Sequence, residues 1–278
     1  MPLKLIYITK DPSVALVAEK FGVDRIMVDL ETLGKEERQK NMNTVKSHHC
    51  VEDVRAISSV LTTSQVLVRV NPWNEASATE IESVILAGAD RIMLPMWKTM
   101  DEINSFLSTV NGRVHTTLLL ETKEAADIID EVLEHPLLDE IHIGLNDLHL
   151  SYGLTFMFEL LSGGVVEALC QKCKAKGIPY GFGGIARIGE GMLPAERIVM
   201  EHYRLGSSRV ILSRSFCNTD EITDVVLIEN IFSKNIALLR EFEETLITKS
   251  ELEYSENVEA IKSSVNTIVR KIKEKNAK

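Results

Sequence analysis

Four stretches of this chain carry ionisable side chains directly after a short β-rich apolar run. These are Asp29-Leu30-Glu31, Arg69-Val70-Asn71, Glu121 after Leu118-Leu119-Leu120, and Asn146-Asp147 after Ile143-Gly144-Leu145. Stability alone gives no reason for the pattern, because a charge at the edge of a core costs free energy unless it is paired or used. A single acid at such a position can serve as a helix N-cap. Acids and a guanidinium recurring at four strand ends require another explanation. Carboxylates without an accompanying set of Cys or His ligands favour a hard cation, Mg2+ or Mn2+. Arg69 suits a substrate carboxylate or a developing enolate oxygen, since its planar fork makes two charge-assisted hydrogen bonds. A cation and an arginine around one oxygen stabilise an enolate. The residue types therefore suit a reaction that passes through an enolate.

The elements that would position these groups follow from periodicity. Eight β-rich runs cover 3–8, 25–30, 66–70, 91–94, 115–120, 140–143, 179–182 and 209–212. Several are apolar on both faces, as expected of a parallel sheet covered on both sides. Helical patterns fill 14–21, 51–61, 76–86, 100–110, 123–133, 165–175 and 195–205, and a long segment follows from Asp220. Glycines at 22, 88, 177 and 206 stand where helices stop. Strand–helix alternation predicts right-handed βαβ units. Eight of them predict a (β/α)8 TIM barrel with extra C-terminal helices. An open doubly wound sheet would place a Gly-rich turn after the first strand, where this chain has Thr9-Lys10-Asp11-Pro12. The division expected is a barrel core over 1–220, then the last barrel helix and a helical extension over 221–278 that serves an oligomer contact.

At 278 residues, with 45% hydrophobic and 26% charged, the chain suits one large α/β domain. A formal net charge of −10 argues against nucleic-acid or anionic-membrane partners. The N-terminus lacks the form of a signal peptide, and no apolar run approaches a membrane span. Four scattered cysteines suggest no disulfide framework, so a cytoplasmic setting is expected.

The segments Met27-Val28-Asp29-Leu30-Glu31, Val68-Arg69-Val70-Asn71, Gly88-Ala89-Asp90-Arg91-Ile92-Met93-Leu94-Pro95, Leu120-Glu121-Thr122 and Ile143-Gly144-Leu145-Asn146-Asp147-Leu148 stand in order. In that order and spacing they resemble the HpcH/HpaI aldolase and citrate lyase β-subunit family of phosphoenolpyruvate/pyruvate-binding barrels. The resemblance runs from about residue 23 to 215. It implies that Glu121 and Asp147 bind the metal and that Arg69 contacts the keto acid's enolate oxygen. It also implies that the backbone around Asn146 and Asp147 receives the substrate carboxylate, with Asp29 and Glu31 beside the metal's water shell. Family members generally associate, so a homo-oligomer is expected.

One position departs from the hydroxy-keto-acid aldolases. Their strand-two motif continues into a proton-moving His, and this chain has Thr32 there. His48 and His49, in the loop on the catalytic face, are candidate substitutes near neutral pH. The run from Asp29 to Arg38 is closer to the citrate lyase β and malyl-CoA type, yet no CoA-binding signature is evident.

Weaker signals complete the reading. Gly181-Phe182-Gly183-Gly184 closes strand seven and either binds phosphate through backbone N–H groups or, around Gly184, gives the substrate room. Arg187, in the same loop, is the residue to watch if the substrate carries a second anionic group. Cys170 and Cys173 read as ordinary helix residues, His142 as a barrel residue, and Trp73 and Trp97 as candidates for the pocket mouth. The expected function is a divalent-metal-dependent carbon–carbon lyase using a metal-stabilised enolate. A CoA-thioester lyase of the citrate lyase β or malyl-CoA type, and a barrel that binds a keto acid or sugar acid without turnover, remain as alternatives.

Overall fold

The computed structural model describes residues 1–34 and 49–276. The strands are β1 (Lys4–Ile8), β2 (Arg25–Asp29), β3 (Gln65–Arg69), β4 (Arg91–Leu94), β5 (His115–Leu120), β6 (Ile141–Ile143), β7 (Tyr180–Phe182), β8 (Gly184–Ile185) and β9 (Arg209–Leu212). The helices between them are α1 (Pro12–Lys20), α2 (Val51–Val60), α3 (Ser77–Leu86), α4 (Met100–Val110), α5 (Lys123–Asp127), α6 (Ile129–Val132), α7 (Leu145–Ser151), α8 (Glu159–Ser162), α9 (Val165–Lys176) and α10 (Ala195–Leu205). The last two, α11 (Val225–Leu246) and α12 (Glu251–Asn276), follow the final strand. All pairings are parallel, in the order β7-β6-β5-β4-β3-β2-β1-β9-β8. This is the TIM-type barrel expected from the alternation of runs.

The seventh sequence run, 179–182, holds β7, a further short strand β8 follows past Gly183, and the barrel closes through this junction. Gly183, at φ +53°, turns the chain between β7 and β8. Its N–H donates to Ile143 O at 2.8 Å, and its carbonyl accepts the Ile211 N–H at 3.4 Å. Thus β7 pairs with β6, while β8 pairs with β9. A side chain is excluded at Gly183, where a Cβ would lie 2.8 Å from Leu145 Cδ1.

Period-two alternation sorts the strand residues into an outer core against the helices and an inner stack along the axis. The middle of that stack is apolar: Ile6, Met27, Leu67, Met93 and Leu119, with Ile8 and Ile211 packed on them. Two residues before each of Met27, Leu67 and Met93, the same faces carry Arg25, Gln65 and Arg91; two residues after Met27, Leu67 and Leu119 they carry Asp29, Arg69 and Glu121. The strand phase that buries the middle layer therefore aims all three of those charged groups into the mouth.

Local chemistry fixes several helix ends. Asp11 caps α1 by accepting the Ser13 and Val14 N–H groups. Thr99 and Glu102 form a capping box on α4. After β9 the chain runs into α11, which packs beside α1. Phe232 of α11 meets Tyr7 edge-on, ring centroids 5.0 Å apart. Glu243 accepts the Leu3 N–H at 2.7 Å, and Arg240 donates to Leu3 O at 2.9 Å, joining the helix to the first strand. The helix α12 lies across α10 and α8. Its buried Asn257 donates to Arg197 O and Glu201 Oε1, both at 3.1 Å.

Three details differ from the sequence reading. The helix expected over 123–133 breaks at Ile128 (φ −101°, ψ 6°) into α5 and α6. The chain after β6 turns at once into α7, whose apolar residues are too few to register as a helical period. Trp97 is core, at 1% exposure, and does not line the mouth. Among the described residues, no helix is long and apolar enough to cross a membrane.

Candidate active site

The register of β2 on β3 sets Asp29 directly beside Arg69. Arg69 Nε donates to Asp29 Oδ1 and Nη2 to Asp29 Oδ2, both at 2.8 Å, a fork-to-carboxylate pair. Its Nη1 lies 3.3 Å from Glu31 Oε2. Asp29 Oδ1 also accepts the Glu31 N–H at 3.2 Å. Burial alone would lower the Arg69 pKa, but Asp29, Glu31 and Glu121 outweigh it and hold the guanidinium firmly charged. Asp29 and Glu31 are themselves 3% and 2% exposed, so the three groups form one buried constellation rather than a surface ion pair.

Glu121 ends β5 one residue past Leu120 and is 3% exposed. Its Oε1 accepts the N–H of Met96, a non-glycine residue held at φ +56°. Burial pushes the Glu121 carboxyl up to about 8; Arg69 opposes that rise, while Asp147 and Glu31 add to it. Gly144 leaves room for it, since a Cβ there would stand 3.1 Å from Glu121 Cβ and Oε2. Asp147 projects from the first turn of α7, on the same side of the barrel.

Glu121 and Asp147 are two acids that would suit a hard cation. No group of three or more His, Cys, Asp or Glu side chains disposed around a metal occurs among the described residues. A buried acid with a raised pKa next to a second acid is a pair whose joint ionisation a cation would favour. Mg2+ and Mn2+ are commonly held by one or two carboxylates, water and substrate oxygens.

A cavity of about 560 Å³ opens beside Asp29, Arg69, His49 and Asn146. It runs toward the ends of β1 and β9, past Thr9, Lys10, Ser213, Arg214 and Asn218. His49 belongs to the site through its Nδ1, which accepts the Asp29 N–H at 3.0 Å. His48 lies outside the described residues. Thr32, at the position of the aldolase His, donates its N–H at 2.9 Å and its hydroxyl at 3.3 Å to Asn71 Oδ1. Asn71 is held in turn by Glu80.

Two of the residues singled out in the sequence stand away from the cavity lining. Gly184 sits in the seam against β9, where a Cβ would lie 3.2 Å from Ile211 O, and its neighbour across the seam, Ser213, lines the cavity instead. Arg187 is spent on the protein: Nε donates to Phe216 O at 2.7 Å and Nη1 lies 3.5 Å from Glu190. It faces a separate shallow cavity by α11, whereas Lys10 and Arg214, with Arg69, are cations lining the mouth among the described residues. The signal for Lys10 and Arg214 in the sequence was position alone, one on each loop following a barrel strand. Cys170 and Cys173 are buried free thiols of α9, as expected.

The family model for HpcH/HpaI aldolase/citrate lyase matches residues 5–181. Among solved structures, an HpcH/HpaI aldolase from Desulfitobacterium hafniense DCB-2 superposes with a TM-score of 0.61 at 14% identity, over 82% of this chain and 93% of that one. An HpcH/HpaI aldolase/citrate lyase family protein from Burkholderia cenocepacia J2315 gives 0.60 at 16% identity, over 82% and 94%. RipC from Yersinia pestis gives 0.54 at 13% identity, over 83% and 94%. At these identities the likeness is one of fold. No curated protein sequence matches the chain.

Proposed function

The chain belongs to the HpcH/HpaI aldolase/citrate lyase family, and from that premise we propose a divalent-metal-dependent carbon–carbon lyase acting on a pyruvate-like α-keto acid. The observation that carries the reading is the buried constellation of Arg69 with Asp29 and Glu31, set against the neighbouring acids Glu121 and Asp147. Glu121 and Asp147 would hold the cation, which when bound polarises the keto acid's oxygens.

The chain's own groups have separable tasks. Asp29 takes both Nε and Nη2 of Arg69, which fixes the guanidinium plane and aims its remaining N–H bonds. A donor held this way costs little reorganisation when charge develops on a substrate oxygen. His49, accepting a hydrogen bond at Nδ1, carries its own hydrogen on Nε2 when neutral and can deliver it there. Thr32, tied to Asn71, leaves proton movement to His49, Glu31 or water.

The mouth cavity, at about 560 Å³, is large for pyruvate alone and leaves space for a second reactant along Thr9, Lys10 and Arg214. That space also accommodates the acyl portion of a CoA thioester, the rival reading.

The test is exchange of pyruvate methyl protons for deuterium, followed by proton NMR with Mg2+ or Mn2+. Metal-dependent exchange is expected, falling at least about 100-fold in Glu121→Gln and in Arg69→Lys. No exchange with metal bound overturns pyruvate chemistry. CoA-dependent cleavage of a malyl-type thioester would then favour the rival, and neither activity would favour a binding barrel.

A further inference from the structure

The opposite end of the barrel holds a second cluster of charge that the mouth chemistry does not use. Arg25, Arg91 and Arg209 open β2, β4 and β9, and Glu140 immediately precedes β6. All four are at most 5% exposed. Strand alternation turns them to the axis, below the apolar layer of Ile6, Met27, Leu67, Met93 and Leu119. Arg209 reaches the axis because its neighbour is Gly181, where a Cβ would lie 2.3 Å from Arg209 Cγ.

The single carboxylate is oversubscribed. Glu140 Oε1 accepts from Arg25 Nη1 at 2.6 Å and from Thr117 Oγ1 at 3.0 Å. Its Oε2 accepts from Arg25 Nη2 at 3.1 Å, with Arg209 Nη1 at 2.5 Å and Arg91 Nη1 at 3.4 Å also crowding it. Gln65 takes Arg25 Nε, and Thr116 O takes Arg91 Nη1. Arg91 Nε and Arg209 Nε are buried with no acceptor. Arg209 Nη1, although close to Glu140, aims no N–H at it.

Three guanidinium groups against one carboxylate leave an excess of two positive charges on the floor. Asp24, Asp90 and Asp139 stand around the rim, but each is turned to a backbone N–H, of Leu5, Val66 and Thr116 respectively. Asp90 and Asp139 are exposed, where water screens them. Burial brings the Arg91 pKa down to about 10; Glu140 and, from the rim, Asp139 oppose the fall, while Arg25 and Arg209 add to it. Buried charge and unmade guanidinium bonds are both costly without a counter-ion.

We propose that the barrel floor binds a small monovalent inorganic anion of the chloride class, held by Arg91 Nε and Arg209 Nε. The site is structural, separated from the mouth by the apolar layer, and independent of the enzymatic reading above. Its occupant couples to stability, because an anion bound only by the folded chain raises the melting temperature.

The test uses the intact protein. Crystals grown in sodium bromide are expected to show anomalous scattering within hydrogen-bond reach of Arg91 Nε and Arg209 Nε. In solution, melting in sodium chloride is expected at least about 2 °C above melting in sodium gluconate at equal ionic strength. Arg91→Met should abolish that difference. Equal melting of the native protein in the two salts, or a floor filled by water in the bromide-grown crystals, overturns the proposal.

Discussion

Replacing His202 by Phe should remove part of the acid sensitivity of this fold, leaving the share of buried His142, whose pKa burial lowers to about 4. His202 lies on α10, fully buried, with its ring stacked on Phe182 at 3.8 Å between centroids and 1° between planes. Its Nδ1 shares a hydrogen with Ser207 Oγ at 2.8 Å, and its Nε2 has no partner. Nothing there welcomes a second proton, and burial, with a smaller push from His142, lowers its pKa from 6.5 to about 3. A depressed folded pKa contributes stability that is complete above 6.5 and is lost as pH falls toward 3. Between pH 7 and pH 5 the unfolded chain protonates while the folded one does not, a loss of about 2 kcal/mol. The Phe variant keeps the stack and gives up the Ser207 hydrogen bond, about 1 kcal/mol at pH 7. Urea unfolding with EDTA at both pH values should therefore show the variant weaker at pH 7 and level with or above the native protein at pH 5. Equal pH slopes would refute the argument, because they would mean that the folded site accommodates imidazolium.

Other expectations follow from the same kind of reasoning. Glu121 has the opposite sign: its carboxyl is raised to about 8, so its contribution is full below 4.5 and is lost as pH rises through 8. In EDTA the native protein should lose roughly 2–3 kcal/mol relative to Glu121→Gln between pH 6 and pH 9, read by urea titration. Gly144→Ala places a methyl 3.1 Å from the Glu121 carboxylate and should weaken Mn2+ binding about tenfold by calorimetry. Gly181→Ala forces a Cβ to 2.4 Å from Arg209 O, which is backbone and cannot yield cheaply. It should cost about 3 kcal/mol in urea unfolding.

The mouth was readable because period-two phase carries information. Once Met27, Leu67 and Leu119 are taken as interior, Asp29, Arg69 and Glu121 must share their direction, and the structure places them there. What sequence could not supply was register. That Asp29 faces Arg69 across a ladder and takes both arms of its fork depends on how two strands slide, which no local pattern specifies. The same limit hid the floor: Arg25, Arg91, Glu140 and Arg209 each look like an isolated charge before a strand until closure gathers them. Arg187 misled because a loop arginine between glycines looks available, whereas its partner Phe216 O is distant in sequence. The break at Gly183 was written as a Gly-Gly pair, but a pair of glycines marks freedom without saying which way the chain turns.

That break has a consequence for how the cylinder opens. Elsewhere a strand grips both neighbours along its length, so parting one neighbour leaves the other to hold it. At the seventh position the grip is divided: β7 pairs with β6 and takes one bond from the far side, Ser208 N–H to Tyr180 O at 3.0 Å, while β8 pairs with β9 and Gly183 joins the two short strands. The Ile211 amide bond to Gly183, at 3.4 Å, is longer than those flanking it, Ser208 to Tyr180 at 3.0 Å and Ser213 to Ile185 at 2.8 Å. Transient breathing of the barrel should begin where β9 leaves the β7–β8 segment, with the wall unrolling as a ribbon whose free edges are β9 and that segment. The amides of 208, 211 and 213 should then exchange with solvent deuterium ahead of those in β2 and β3.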